Sequence, residues 1–319
     1  MPLSRLIGCN LPAVLIFAGA VGTQAQGYPN KPVRIVASLP GGSIDFAARL
    51  LAQGLTGPLG QQVIVDNRPG NIVIGQTVLQ APADGYTLLI GGSSFWTGPL
   101  LQKTPYDVVM DFSPIVIVEK SPNILTVHPS LPVKSVRELI LLAKAKPGQL
   151  NYGSSAIGAS NHLSVELFKS MTSVNIVHIN YKGGGPALTG LLSGEVQLMF
   201  ASTSSVAPHT KSGKLRDLAV TSAHPSILAP GLPPIAATVP GYELVGASAV
   251  FGPAKTPAAV VQRLNQEITR VLNHADVKEK FLNAGSEVAP GPPEELAALV
   301  RSDITTLGKL IKDIGIKVE

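Results

Sequence analysis

Cysteine is almost missing from this 319-residue chain: Cys9, near the N-terminus, is the only one. If that segment is removed, as expected below, the mature chain has no disulfide, no thiolate nucleophile and no thiolate zinc site. Charge is sparse too, at 14% of residues, and the Lys and Arg are scattered rather than clustered. That distribution lacks the basic footprint of a nucleic-acid binder. Aromatics make up 5%, with a single tryptophan, Trp96. Cores must then be built from Ala, Val and Leu, as in an ordinary globular protein. Catalytic motifs are also missing: no Gly-x-Ser-x-Gly elbow, no His-Glu-x-x-His, no Walker A lysine motif. The six histidines are not spaced as a metal set. A secreted α/β enzyme is therefore the remotest reading, and no cofactor or metal is expected.

Apolar runs long enough to cross a bilayer are lacking as well. The one extended run, Leu11 to Val21, follows Arg5 and precedes Thr23-Gln24-Ala25. That order fits a secretory signal peptide over residues 1–25, cleaved after Ala25 by the small-x-small rule. Leu6-Ile7-Gly8-Cys9 looks like a lipid-attachment box, but here the apolar run follows the cysteine instead of preceding it. The expectation is a non-lipidated monomer in the periplasm. Removing Arg5 from the formal +5 leaves +4.

What is present is an alternation of strand-like and helix-like segments. Strands are expected at Val33–Ala37, Gln62–Asp66, Tyr86–Ile90, Ile115–Val118, Ile124–Val127, Val174–Ile179, Val196–Phe200 and Leu215–Val220. Ser135 and Glu138 form a capping box ahead of Leu139, Ile140 and Ala143. Pro186 suits the first position of a helix that Gly194 can end. Val260, Leu264, Ile268 and Val271 make the clearest amphipathic stripe. The alternation predicts α/β layers with largely parallel sheets. Apolar strands near Ile124–Val127 and Leu244–Phe251 would carry the chain between two lobes, one discontinuous (27–123 plus 245–319) and one continuous (124–244).

Two turns carry the functional signal. Pro40-Gly41-Gly42-Ser43-Ile44-Asp45 joins an apolar strand to a helical pattern, and Tyr152 to Ser160, rich in Gly and Ser, repeats the design. A glycine turn opening a helix aims backbone N–H groups at one point, where the helix dipole adds about half a positive charge. Gly41, Gly42 and Ser43 are expected at a ligand, with Asp45 orienting a water or accepting from a ligand hydroxyl or ammonium group. Ser43 and Ser160 are also capable of acting only as helix caps. Tyr152, Ser154, Ser155, Ala159 and Ser160 supply the second turn, whose donors can satisfy both oxygens of a carboxylate. Lys182, Gly183 and Gly184 open another helix. Ser93, Ser94, Ser202 and Thr203 follow strands at the ends where α/β sheets bind ligands.

The mature sequence carries, in order, Tyr28-Pro29-Asn30-Lys31-Pro32, the Pro-Gly-Gly-Ser-x-Asp turn, Asp66-Asn67-Arg68-Pro69-Gly70, Pro82-Ala83-Asp84-Gly85-Tyr86, Asn151-Tyr152-Gly153-Ser154-Ser155 and Tyr181-Lys182-Gly183. Together these strings carry a resemblance to the Bug-type extracytoplasmic solute receptors of tripartite tricarboxylate transporters. It implies an α/β, type II periplasmic binding protein fold whose two lobes, joined by crossover strands, enclose a ligand cleft. It also implies a small carboxylate ligand handed to inner-membrane transporter subunits. An alternative use of the same scaffold is ligand sensing, by docking on the outer domain of a histidine kinase. The sequence departs from the family pattern at Ser38 and Leu39, at Asn71–Gly75, and at Ala201-Ser202-Thr203-Ser204. Ser38 and the shortened Asn71–Gly75 segment, with Phe95 and Trp96 nearby, suggest an unusual first-lobe wall suited to an aromatic or longer aliphatic acid over a compact amino acid.

Overall fold

Strand β1 (Val33–Ala37) runs through the Pro40–Gly42 turn into helix α1 (Ser43–Leu59), and the unit repeats with β2 (Val63–Asn67), α2 (Gly70–Leu79) and β3 (Thr87–Gly92). The computed structural model describes residues 27–155 and 157–315, so the expected signal peptide and Cys9 lie outside it. Gly41 has φ of 91°, a backbone region open to glycine at little cost, and it turns the chain from β1 into α1. Short helices α3 (Ser93–Thr97) and α4 (Val108–Asp111) lead into β4 (Phe112–Val127). The next stretch holds α5 (Val136–Ala145), β5 (Asn151–Ser154), α6 (Ser160–Thr172), β6 (Val177–Asn180), α7 (Gly184–Ser193), β7 (Leu198–Ser202), α8 (Thr203–Lys211) and β8 (Arg216–Val220). The chain returns through β9 (Val245–Pro253) and ends with α9 (Ala258–Leu272), α10 (Ala275–Asn283), β10 (Glu287–Val288) and α11 (Pro293–Asp313).

Strand β4 links two sheets. From Phe112 to Pro122 it pairs antiparallel with β9, and from Asn123 to Val127 it pairs antiparallel with β7. The spatial order is β2-β1-β3-β9-β4-β7-β5-β6, with β8 and β10 also on β4. Pairing is parallel within β2-β1-β3 and β7-β5-β6 and antiparallel where β9 and β4 cross. The largely parallel sheet expected from the alternation is thus corrected to a mixed one. The two separate strands expected at Ile115–Val118 and Ile124–Val127 are one, of 16 residues. The polar stretch Glu119–Asn123 does not end it, because β9 and β10 keep its backbone paired.

Each sheet has its own apolar core. Ile35, Leu51, Leu55, Leu264 and Ile268 belong to one, so the amphipathic stripe of α9 faces α1 and the first sheet. Leu125, Tyr152, Phe168, Phe200 and Tyr242 belong to the other. Leu307, Leu310 and Ile311 of α11 join this second core, while Leu296 and Val300 of the same helix pack beside Phe95 and Trp96. One helix therefore lies against both halves.

Helix ends follow the local chemistry. Ser135 Oγ accepts the Glu138 N–H at 3.2 Å, and Glu138 reaches back to the Lys134 N–H at 2.7 Å, one residue earlier than a standard capping box. Ser135→Ala should cost about 1 kcal/mol, read as a lower urea midpoint at unchanged slope. Gly194, with φ of 78°, ends α7 as expected. Pro186 sits at the third rather than the first helical position, because Gly183 takes the N-cap. The N–H at that position has no partner within the helix, so proline is tolerated there.

Candidate functional site

A cleft of about 310 Å³ opens between the two sheets. Ser43 and Ile44 reach it from α1, Ser93, Ser94 and Thr97 from α3, and Gly158, Ala159 and Ser160 from the start of α6. The crossover strands contribute Glu119 and Val245–Ala247, and α11 contributes Asp303 and Leu307. The two turns singled out in the sequence are thus brought to one space.

The helix starts decide what this space can hold. Gly42 and Ala159 occupy the N-cap positions of α1 and α6, and neither has a side chain that can accept a hydrogen bond. By contrast, Asp107 caps α4 and Ser135 caps α5. Ser43 and Ser160 are therefore the first helical residues, not caps. The first-turn N–H groups of both long helices remain available to an anion, which the helix dipole favours. Among the described residues that line the cleft there is no Lys, Arg or His, and the ionisable ones are Glu119 and Asp303.

Several expected ligand contacts have other partners. Asp45 is buried. Its carboxylate takes the Arg49 Nε–H at 3.0 Å, the Gly41 N–H at 3.0 Å and the Asn67 Nδ2–H at 2.8 Å. The Arg49 guanidinium, more than any other neighbour, holds it down to about 2, with Gly41 and Asn67 assisting against the effect of burial. Asp45 thus braces the turn from behind, and the Gly41 N–H points to it. Gly42 is exposed and lies outside the cleft lining. Ser93 Oγ accepts the Ala247 N–H at 2.9 Å, tying α3 to β9, and Ser94 Oγ accepts from Asn71 Nδ2 at 3.1 Å. Both serines still line the cleft.

In the second turn Ser155 Oγ donates to Asn161 Oδ1 at 3.0 Å. Tyr152 is fully buried and donates to Glu166 Oε1 at 2.6 Å, where Lys169 Nζ also lies at 2.6 Å. Ser154, also buried, lies 2.7 Å from His178 Nε2. These three brace the second sheet and are not in the cleft lining. Lys182, Gly183 and Gly184 are outside it too, with the Gly183 N–H donating to Ser155 O. Ser202 pairs with Asn123 at the end of β7 and its hydroxyl meets Ser205, while Thr203 faces a separate cavity beside α8. Phe95 and Trp96 form no wall of the cleft. Both are fully buried, Phe95 against Tyr106, Phe112 and Phe251, and Trp96 against Phe251. The argument for an aromatic ligand built on them falls.

Sequence reasoning missed Glu119, Val245–Ala247, Asp303 and Leu307. Asp303 accepts Trp96 Nε1–H at 2.8 Å. Burial raises its carboxyl above the usual range, Glu243 adds to this, and Trp96 and Lys120 oppose it. Glu119 is also raised, by burial first, against the pull of Ser286 and Ser248. Only a polar residue inside a long apolar strand, as at Glu119, left a signal in the sequence.

Residues 47–316 match the family described as tripartite tricarboxylate transporter family receptor. The chain belongs to this family. Its fold is that of the family's periplasmic receptors, which bind solutes and are not enzymes. Among relatives, Protein BugT of Bordetella pertussis is 33% identical over 322 residues, covering 97% of this chain and 98% of that one. An R. palustris protein solved with adipate is 38% identical, with a TM-score of 0.69, covering 90% of this receptor and 98% of that chain. MatC from Rhodopseudomonas palustris, solved with bound malate, is 25% identical with a TM-score of 0.65, covering 89% and 100%. Among the described residues of this receptor, no helix is long and apolar enough to cross a membrane.

Proposed function

We propose that this periplasmic receptor captures a small carboxylate between α1 and α6 and delivers it to the inner-membrane subunits of its transporter. The observation that carries the reading is the pair of helix N-termini, each with an N-cap residue unable to cap, lining one cleft whose described residues include no cationic side chain. The acids held by the two R. palustris proteins support the ligand class. A cleft of about 310 Å³ suits a molecule of that size. Cleavage after Ala25 would release the chain as a monomer. We divide the lobes near Asn123 and Val245, a reading supported by the change of partners of β4 at the first and the start of β9 at the second. Closure about these two crossovers would bring α1 and α6 onto the ligand.

The test is calorimetry and thermal unfolding across C4 dicarboxylates, adipate, citrate, benzoates, terephthalate and acidic amino acids. At least one should bind and raise the melting temperature by mass action. Ser160→Ala should then weaken that ligand about tenfold, the loss of one charge-assisted hydrogen bond. Lys182→Ala should leave its affinity unchanged, because Lys182 lies outside the cleft lining. A panel without any binder, or a lysine variant that loses more affinity than the serine variant, refutes the reading.

A further inference from the structure

Both ionisable side chains in the cleft are acids, and they differ in access. Glu119 is buried, with Ser248 and Ser286 beside its carboxylate. Asp303 is half-buried, and of the two it is the one a ligand meets. Its Oδ2 takes the indole N–H of Trp96, which fixes the carboxyl at the cleft's edge. Among the described residues that line the cleft none is basic, while Lys120 and Glu243 line an adjoining cavity with Asp303.

We propose that Asp303 is a specificity-determining residue, which selects an acid with one carboxylate and a hydrogen-bond donor, hydroxyl or ammonium, on the remainder, and disfavours a second carboxylate. This inference rests on the carboxylate reading of the cleft. The reasoning is one of charge balance. A single carboxylate can be held by the N–H groups of α1 and α6, which carry partial positive charge. The rest of the ligand then meets Leu163, Leu244, Val245 and Leu307 together with Asp303. A carboxylate beside Asp303 is repelled, whereas a hydroxyl or ammonium group finds an acceptor there. The charged groups facing Asp303 from the neighbouring elements are Glu243, which opposes its ionisation, and Lys120, which favours it. Glu119 shares its cleft.

The experiment compares adipate, 6-hydroxyhexanoate, 6-aminohexanoate and hexanoate, with the four-carbon counterparts, on the wild type and Asp303→Asn at pH 8. Asparagine keeps an oxygen for Trp96 Nε1–H, and Trp96, the single tryptophan, reports by its emission that this contact survives. The wild type should prefer the hydroxy or amino acid over the dicarboxylate of equal length by about tenfold or more. Asp303→Asn should narrow that preference to about threefold or less. Adipate affinity should rise as pH falls in the wild type, since protonating Asp303 removes the repulsion, and should rise less in the variant, where Glu119 is the acid that remains. Equal preference in the two proteins, or a wild type that favours the dicarboxylate, overturns the proposal while the carboxylate reading stands. No binding by any of the eight acids overturns the proposal, and no binding across the wider panel as well overturns the carboxylate reading with it.

Discussion

Ala159→Asp should abolish solute binding while leaving the fold at least as stable as before. Ala159 is the N-cap of α6, with φ of −66° and ψ of 156°. In that extended conformation an aspartate side chain turns back onto the N–H groups of Asn161 and His162, the second and third helical residues. Filling an empty cap position in this way should stabilise the protein by about 1 kcal/mol. The same N–H groups are the ones offered to the ligand, so the new carboxylate competes for them and repels the anion. Loss of two charge-assisted hydrogen bonds, about 1.5–3 kcal/mol each, corresponds to at least about 100-fold in affinity. Gly42→Asp tests the same logic at α1, where the cap residue is also bare. Calorimetry reads the affinity and urea unfolding the stability. An Ala159→Asp protein that binds normally would mean that α6 does not seat the anion. One that binds weakly but also unfolds more easily would mean the substitution damaged the fold instead.

This opposition between capping and binding also marks what was legible in the sequence. The turns at Pro40–Gly42 and before Ser160 could be read because glycine, serine and a following helical pattern are local signals. So could β1 at Val33–Ala37, which the structure reproduces residue for residue. Which residue stands at the N-cap could not be read, since a shift of one position moves Ser43 from cap to first helical residue. Asp45 looked available although Gly41 and Arg49 stand only four residues away; its third partner, Asn67 on β2, is 22 residues off and could not be placed beside it from the sequence. Asp303 and Leu307 were invisible for a similar reason. Their helix has an ordinary amphipathic pattern, and only its packing across both halves brings them to the cleft. Phe95 and Trp96 illustrate the reverse error. They follow a strand end, where a ligand wall was plausible, yet burial of large rings outweighed that position.

Acid should destabilise this receptor in a window set by histidine rather than by carboxylates. His162 on α6 is buried, its ring centroid 4.5 Å from that of His178. Its Nδ1 accepts the Gly158 N–H at 3.2 Å, which requires the neutral ring. Burial, above all, holds its pKa down to about 4, with His178 and Lys169 adding to the effect and Glu166 opposing it. His178 is lowered too, again by burial first. In the unfolded chain these rings titrate near 6.5. Between that value and about 4 the unfolded state therefore binds more protons than the folded one, and stability falls as pH falls. His162 alone should contribute a loss of about 2–3 kcal/mol across this window, allowing for some solvent screening. Asp45, held at about 2, withdraws its own contribution only below its ordinary value of 3.8, so the two effects separate. Gly158 lines the cleft, and protonating His162 removes the acceptor that orders it. Because the folded ring stays neutral down to about 4, ligand affinity should be lost through this contact only as pH approaches that value. Urea midpoints from pH 7 to 4.5 should decline in the wild type and flatten in His162→Asn, whose amide oxygen can still accept from Gly158. Level midpoints in the wild type, or an undiminished slope in the variant, would place the acid sensitivity elsewhere.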